Sequence, residues 1–381
     1  MNQFTCLFPG GVIYGAGKIE SLTEKTEGRS VLLLSDKGVV QSGIADRVRD
    51  ICRTSAASLE QFLEVPPEPK ENEITEVVAS LTGSGVEVIV AVGGGSVMDM
   101  AKLVAVMLNN GPHITELFDG QLPRARNSYL VMIPTTAGTG SEATPNAIVL
   151  RTSQNLKVGI VCDLFLPDWV ILDPEMLLGL PAPMTASTGL DALCHALECY
   201  ISNKANPLSD MLAVEATRLI FKSLKRSYCD GKDVQARSDM QLASFYAGIC
   251  IASAGTNIVH ALSYPLGGRY RIAHGVSNAI LLAPGMKENK KCCTQKLADI
   301  AHLTGQDVTG LDADAKADLL VAALADLSRE LGIPEKLTDL GVPAEDLDTI
   351  VDAAFEVKRL LNNNPKPLSK DDIRSVYLSL F

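Results

Sequence analysis

The feature that most constrains the fold is a regular alternation of short apolar runs with helical stretches over roughly the first half of the chain. Runs rich in Val, Ile and Leu are typical of buried strands, whereas apolar residues at every third or fourth position are typical of helices. The predicted strands are VLLLSD (31–36), VEVIVAVGGGS (86–96), YLVMIPTT (129–136) and LKVGIV (156–161), and the predicted helices are NEITEVVASLTGSG (72–85) and DMAKLVAVMLNN (99–110). This order predicts βαβ units and therefore an α/β domain with a mostly parallel, Rossmann-like sheet.

The pattern changes at PAPMTASTG (181–189), after which only helix-like segments follow, separated by Gly, Pro and Asn. A chain of 381 residues is also long for a single hydrophobic core. We therefore predict an α/β domain over residues 1–182 and an all-helical domain over residues 183–381. A cleft between two such domains is the expected place for an active site.

Composition narrows the classes of partner. A net charge of −11 argues against nucleic acid, because binding phosphates requires a clustered excess of Lys and Arg. The nine cysteines form no CxxC pair, and a scattered, odd set of this kind is typical of reduced thiols. The N-terminal segment MNQFTCLFPGGVIYG lacks a signal-peptide pattern, and no apolar run approaches membrane-spanning length. The expected location is the cytoplasm, without membrane contact.

Two glycine-rich loops follow predicted strands. In VGGGSVMDMAK (92–102), the glycines would let backbone N–H groups approach a phosphate at the N-terminus of a helix. A tight turn is the alternative, although three glycines in succession exceed what a turn needs. The GxGxxG fingerprint is absent, because Met98 stands at its third position. The second loop, PTTAGTGSEAT (134–144), adds hydroxyl groups and glycines, and together the two loops predict a nucleotide site.

Asp36 ends the predicted strand VLLLSD. A carboxylate at this position can accept hydrogen bonds from an adenosine ribose and would repel a 2′-phosphate. A helix N-cap is an equally ordinary role for an aspartate here. Both interpretations remain open from the sequence.

The helix-like segment DALCHALECY (191–200) places a carboxylate and an imidazole on one helical face, because Asp191 and His195 are four residues apart. An Asp–His hydrogen bond in a helical core would explain the pair equally well. His260 and His274 follow in apolar or glycine-rich settings of the same predicted domain, whereas His113 is interpreted as an ordinary structural or surface residue, as is His302. Three imidazoles and one carboxylate suit Fe(II) or Zn(II), so we predict a divalent metal site.

The segments GGGSVMDMAK, PTTAGTGSEAT, GLDALCHALECY and VHALSYPLGGRYRIAHG resemble, in this order, the motifs of the iron-containing (group III metal-dependent) alcohol dehydrogenases. The resemblance covers essentially the whole chain and implies a dehydroquinate synthase-like fold. It also implies Fe(II), in some members Zn(II), bound by Asp191, His195, His260 and His274. The cofactor would be NAD(H) rather than NADP(H), and the implied cofactor residues are Asp36, Gly94, Gly95, Ser96, Asp99, Thr135, Thr136, Thr139, Ser141, Lys157 and Leu177.

The chain departs from the family pattern around the expected substrate site. Ile251 stands where many members have phenylalanine, Tyr264 where many have a second histidine, and Ala273 where proline is usual. Tyr264 or water would therefore take over the proton relay. Arg269 and Arg271 add two positive charges beside the last metal ligand, which raises the option of an anionic substrate.

The expected activity is the NAD(H)-linked, metal-dependent interconversion of a short-chain aldehyde and its primary alcohol. The small-molecule substrate would carry a carboxylate or sulfonate tail if one of the two arginines faces the pocket. The alternatives are a neutral primary alcohol, diol or lactaldehyde-type substrate, or an activity like those of dehydroquinate synthase and glycerol dehydrogenase. We also expect a homodimer or a higher homo-oligomer.

Overall fold

The computed structural model describes residues 3–108, 111–153 and 156–381, so the last two residues of the predicted helix 99–110 lie outside the described residues. The chain divides into two compact units. One is Leu7–Leu180, and the other is Pro181–Phe381 together with the described residues that precede Leu7. The first unit holds the strands and the second is helical, as the alternation and its loss predict.

The first unit is built on a parallel sheet of six strands in the order β1-β8-β5-β4-β2-β3. Strands β6 and β7 form a separate antiparallel pair. The strand bounds are β1 Val12–Tyr14, β2 Ser30–Leu34, β3 Ser58–Phe62, β4 Val88–Gly93, β5 Tyr129–Pro134, β6 Asn146–Arg151, β7 Leu156–Val161 and β8 Trp169–Leu172. Strands β2 and β4 are apolar and almost entirely buried, which is why the sequence predicts them, and their side chains form the core with those of α5 (Gly95–Met107).

The segment LKVGIV (156–161) forms a strand, but its predicted place in the buried parallel sheet is wrong. It is β7, which runs antiparallel to β6, and Val161 is 46% exposed. Only residues 152–155 separate the two strands. A parallel crossover needs a dozen or more residues, so a connection this short imposes an antiparallel pair.

A search for apolar runs does not identify β1 and β3, because these strands lie at the two edges of the sheet. In β3, SLEQF consists of exposed and half-buried residues and contains no apolar run. The helices of this unit are α1 Leu22–Thr26, α2 Lys37–Gln41, α3 Ile44–Ser55, α4 Glu71–Ser80, α5 Gly95–Met107 and α6 Ile114–Phe118, and the 3₁₀ turns are Lys18–Ser21, Ser141–Ala143, Asp163–Phe165 and Pro174–Leu177.

The second unit is arranged around α7 (Ala182–Ile201), in which every residue from Gly189 to Ile201 is buried. Helix α7 packs against α8, α9, α10 and α11. The other helices are α8 Pro207–Cys229, α9 Val234–Ala254, α10 Ile258–Tyr270, α11 His274–Ile300, α12 Ala313–Glu330, α13 Leu347–Phe355, α14 Lys358–Leu361 and α15 Lys370–Leu378, and the 3₁₀ turns are Ala301–Thr304, Leu337–Leu340 and Ala344–Asp346. Polar residues of α7 are thereby carried into the core, where burial requires them to have partners.

Within the described residues, no single helix has both the length and the apolarity of a membrane span. Helices α9 and α10 meet these criteria only when taken together, and they are bent by 102° relative to each other.

Candidate metal centre and cofactor loops

The helical unit brings the four predicted metal ligands together from three helices. Asp191 and His195 lie one turn apart on α7, His260 lies in the first turn of α10, and His274 begins α11. Oδ1 of Asp191 lies 3.7 Å from Nε2 of His260 and 3.9 Å from Nε2 of both His195 and His274. The side chain of His274 is 40% exposed and the other three are buried, so His274 is the solvent-facing member of the four.

The donor set fits a divalent transition metal. One candidate ligand atom from each of Asp191, His195 and His260 lies within 4.8 Å of the others. Nδ1 of His260 is hydrogen-bonded to the Glu198 carboxylate, which assigns the proton to Nδ1 and leaves the lone pair of Nε2 directed at the cluster. A carboxylate behind a ligating histidine is the usual support of a metal site.

Glu198 is a functional residue that the sequence analysis missed. It is fully buried on α7, and its Oε1 also accepts hydrogen bonds from the backbone N–H groups of Asn257 (2.9 Å) and Val259 (2.8 Å). It therefore holds both the ring of His260 and the start of α10. Its position, three residues after His195 and seven after Asp191, places it on their helical face and was a signal that could have identified it.

Asn278, one turn after His274 on α11, was also missed. Its Nδ2 donates to Oδ1 of Asp191 at 2.6 Å and lies 3.1 Å from Nε2 of both His260 and His274. Its own Oδ1 is buried and, among the described residues, has no hydrogen-bond partner. Electron-rich atoms of three residues thus converge on one amide, an arrangement that suits a cation among them.

The charges of the cluster shift its pKa values in opposite directions. Burial acts to raise the pKa of Asp191, but the surrounding His195, His274 and His260 and the Asn278 hydrogen bond lower it overall. Burial acts to lower the pKa of His260, but the negative charge and hydrogen bond of Glu198 raise it overall. Asp191 is therefore held as a carboxylate, the form that binds metal.

The predicted substrate residues are dispersed. Tyr264 lies one turn after His260 on α10, and its hydroxyl accepts a hydrogen bond from Arg359 at 3.5 Å. Ile251 lies, partly buried, on α9. Arg269 lies 3.4 Å from Asp346, and Arg271 is exposed at the end of α10 with a φ of 57°. In the described part of the chain, neither arginine forms a hydrogen bond or ion pair with the metal cluster, and their expected contact with the substrate stays a prediction.

The α/β unit gathers the predicted cofactor residues at one edge of its sheet. Strands β2, β4 and β5 are neighbours, and Asp36, Gly94 and Thr135 follow their carboxyl ends. The register pairs Gly93 with Pro134, and the N–H of Thr135 donates to the carbonyl of Gly93 at 3.0 Å. The carboxyl edge of a parallel sheet is where ligands bind in α/β folds.

The two glycine-rich loops pack directly on each other. A Cβ at Gly94 would lie 3.3 Å from Cγ2 of Thr136, and one at Gly95 would lie 3.0 Å from Cγ2 of Thr139. Oγ1 of Thr136 is buried and, in the described residues, lacks a hydrogen-bond partner. The N–H groups that open α5 have no partner within the helix, so this cradle fits a pyrophosphate.

Two predicted cofactor residues form a buried hydrogen-bond network with Lys102. Oδ1 of Asp99 accepts from the Ser141 hydroxyl at 2.6 Å, and its Oδ2 accepts from the N–H of Ile148 at 3.0 Å. The ammonium group of Lys102, with no exposed surface, donates to Oγ of Ser141 at 2.7 Å and to the carbonyl of Asn146 at 2.6 Å. Asp99 and Ser141 thus support the second loop from inside the unit, and the expected place of Asp99 near the pyrophosphate and the expected contact of Ser141 with the cofactor stay predictions.

The remaining predicted cofactor residues lie around this edge. Lys157 on β7 pairs with Glu68, whose backbone N–H donates to Oγ of Ser96 at 3.2 Å. Glu68, with a φ of 55°, therefore joins Lys157 to the first glycine loop and was not identified from the sequence.

Leu177 is fully buried in the turn Pro174–Leu177. Asp36 is the N-cap of α2, with Oδ1 accepting from the N–H of Val39 at 3.0 Å, which leaves its second oxygen for the ribose role.

Comparisons with known proteins cover both units. Residues 9–174 match the family model described as iron-containing alcohol dehydrogenase, and residues 185–381 match that of the Fe-containing alcohol dehydrogenase family, C-terminal. Long-chain-alcohol dehydrogenase 1 of Geobacillus thermodenitrificans is 35% identical over 100% of this chain and 98% of its own. A crystal structure of 1,3-propanediol oxidoreductase is 34% identical, with a TM-score of 0.94 and complete coverage of both chains. Sulfoacetaldehyde reductase from Bifidobacterium kashiwanohense in complex with NAD⁺ is 29% identical, with a TM-score of 0.90 over 100% of this chain and 99% of its own. The chain is an alcohol oxidoreductase that belongs to the iron-containing alcohol dehydrogenase family.

Proposed function

We propose that this protein interconverts a short-chain aldehyde and its primary alcohol, with NAD(H) as the hydride carrier and a divalent metal in the cluster. The observation that carries the proposal is the convergence of the buried Asp191, His195 and His260, backed by Glu198, with the half-exposed His274. Iron is the metal named by the family, and the donor set also suits Zn(II). A cytoplasmic location is part of the proposal, in keeping with nine free cysteines, and so is a homodimer or higher homo-oligomer.

The protein contributes binding and orientation, and the two cofactors supply the chemistry. When bound, a divalent metal in this donor set would supply Lewis acidity toward a carbonyl oxygen, and NAD(H) would supply or accept the hydride. Asp191 and the three histidines would hold the metal, with Glu198 fixing the orientation of the His260 ring. The single half-exposed ligand, His274, leaves one open side from which an aldehyde oxygen can approach.

The cofactor would bind at the sheet edge of the α/β unit. The N-terminus of α5, with Gly94 and Gly95, would bind the pyrophosphate, and the unpartnered hydroxyl of Thr136 would donate to it. The other contacts that we propose are Ser96, Thr135 and Thr139 around the pyrophosphate, Lys157 at the nicotinamide ribose and Leu177 near the adenine.

Tyr264 is the proposed proton donor to the product oxygen. It lies one turn from His260, and burial raises its pKa above the ordinary value despite the opposing charge of Arg359. The phenol is therefore protonated at neutral pH. Its hydroxyl can donate a hydrogen bond to the product oxygen at the cluster. Water is the alternative donor.

Cofactor preference tests the role of Asp36. The unaltered enzyme should favour NADH over NADPH by about tenfold or more in kcat/KM, because a clash between the carboxylate and a 2′-phosphate costs at least ~1.4 kcal/mol. Asp36→Asn keeps an N-cap acceptor and removes the charge, so it should narrow the gap, as should Asp36→Gly. The measurement is kcat/KM for both cofactors, with Asp46→Asn as an exposed acidic control. Equal use of both cofactors by the unaltered protein would leave Asp36 as a cap only.

The reaction itself is tested by steady-state reduction of an aldehyde panel with NADH after loading with Fe(II) or Zn(II). We expect turnover of short aldehydes, and oxidation of the corresponding alcohols with NAD⁺. The panel contains neutral, carboxylated and sulfonated members, because an anionic tail is the finer part of the proposal. Turnover of neutral substrates alone would favour a simple primary alcohol or diol dehydrogenase, and a metal-loaded enzyme inactive on every member would contradict the proposed function.

A further inference from the structure

One exposed arginine beside the metal cluster is left without a carboxylate. Arg359 lies on the short helix α14, and among the described residues it forms no ion pair. Two other arginines of the same unit do have a carboxylate partner: Arg269 lies 3.4 Å from Asp346, and Arg374 pairs with Asp348. An arginine has five N–H donors, so most of the hydrogen-bonding capacity of Arg359 is available.

The guanidinium of Arg359 is directed toward the catalytic end of α10. Its NH2 group lies 3.5 Å from the hydroxyl of Tyr264, which is one turn from the predicted ligand His260. The positive charge of Arg359 also acts to lower the pKa of both Tyr264 and His260. A cation therefore stands next to Tyr264, one turn of α10 from His260, without belonging to the predicted ligand set.

The segment that carries Arg359 is anchored on its C-terminal side. Leu360 and Leu361 are buried directly after it. Nδ2 of Asn363 donates to the carbonyl of Thr256 at 2.9 Å. The amides of Asn364 and Asn289 exchange two hydrogen bonds of 2.9 and 2.7 Å. The backbone at Arg359 is thus held in place, which limits the ordering cost of using its side chain for recognition.

The lysines near Arg359 in the sequence already have partners within the protein. Arg359 is therefore not one member of a general positively charged surface. The ammonium of Lys358 lies 3.1 Å from the ring centroid of Phe355, and that of Lys366 pairs with Glu288 at 2.6 Å. A guanidinium also presents two parallel donors that match a carboxylate or a sulfonate.

We propose that Arg359 is a specificity-determining residue that binds the anionic tail of the substrate, so that the preferred substrate is a short aldehyde with a terminal carboxylate or sulfonate. This rests on the proposed function, because it concerns the substrate of the same site. It replaces Arg269 and Arg271 as the recognition residues. A charge-assisted, bidentate contact predicts a preference of about 10- to 100-fold in kcat/KM.

The kinetic test compares 4-oxobutanoate with butanal, and sulfoacetaldehyde with propanal, in the metal-loaded enzyme with NADH. In Arg359→Met, the ratio of kcat/KM for the charged over the neutral aldehyde should fall by about 10- to 100-fold, mainly through a higher KM for the charged substrate. Arg359→Lys should restore part of the ratio, since it keeps the charge but not the planar fork. The matched control is Arg374→Met, a surface arginine paired with Asp348, which should leave the ratio unchanged.

An independent readout separates this inference from the proposed reaction. Calorimetric titration of 4-hydroxybutanoate into the metal-loaded protein should give binding that weakens by about 10- to 100-fold in Arg359→Met, whether or not the enzyme turns over. Equal losses for charged and neutral aldehydes, or an unchanged ratio and unchanged binding, would overturn the role of Arg359 while leaving an active alcohol dehydrogenase. Absence of turnover with every aldehyde, together with Arg359-dependent binding of 4-hydroxybutanoate, would contradict the proposed function but support the anion site.

Discussion

The His260→Ala variant should contain no tightly bound metal and should turn over at about one-thousandth of the unaltered rate or less. In the unaltered protein, Glu198 orients Nε2 of His260 into the cluster, and alanine supplies no ligand atom in its place. Loss of several kcal/mol of electrostatic stabilisation corresponds to about three orders of magnitude in rate. The measurements are metal content by mass spectrometry and kcat with NADH and a short aldehyde. His274→Ala should behave in the same way.

Two further variants make this experiment specific. Glu198→Gln keeps the shape of the side chain but removes its charge, and should weaken metal binding by about 10- to 100-fold without removing a ligand. His302→Ala changes an exposed histidine of the same unit and should leave metal content and rate unaltered. Normal metal content in His260→Ala, or full activity of the unaltered enzyme after exhaustive chelation, would contradict the assigned ligand set.

Lys102→Met should destabilise the α/β unit by about 3–5 kcal/mol. The Lys102 ammonium is fully buried between Asp99, Ser141 and the carbonyl of Asn146, and burial lowers its pKa. Removing one partner of a buried ion pair leaves the other charge uncompensated. The variant should show an early unfolding transition in urea and on heating. It should also bind NADH more weakly, because Ser141 belongs to the loop that packs on Gly95.

The design includes a surface control and a compensating change. Lys37→Met removes one partner of an exposed pair with Glu64 and should change stability by no more than about 1 kcal/mol. Adding Asp99→Asn to Lys102→Met removes the uncompensated carboxylate but keeps an acceptor for the Ile148 N–H, and should recover part of the loss. If the single variant unfolds at the same urea concentration as the unaltered protein, the buried network has no stabilising role.

Periodicity was sufficient for the central elements of the fold. Strands β2, β4 and β5 and helix α5 are almost entirely buried, so their apolar runs are long enough to be recognised in the sequence. Prediction from apolar runs missed β8, a buried strand of only four residues between β1 and β5, and it failed where burial is partial. Edge strand β3 carries SLEQF, which has no apolar run, and β7 was assigned to the wrong sheet because a short apolar run does not encode its pairing partner.

For the candidate site, the sequence shows which residues have side chains that can bind a metal, but not which of them lie together in the fold. Asp191 and His195 were recognisable as a pair, because helical geometry alone brings positions i and i+4 together. His260 and His274 are 65 and 79 residues beyond His195, and only the packing of α10 and α11 on α7 brings their rings to the same carboxylate. The family resemblance supplied the four together, whereas spacing along the chain could not.

The sequence by itself determined the α/β and helical units, the two glycine-rich loops and the chemistry of the four ligands, because these follow from local periodicity and residue type. Tertiary structure alone decided that Glu198 holds His260, that Lys102 and Asp99 form a buried network behind the cofactor loop, and that Arg359 rather than Arg269 stands beside Tyr264. The reason is physical: a charged side chain acquires its role from the partners that desolvation forces on it, and those partners lie far away in the chain.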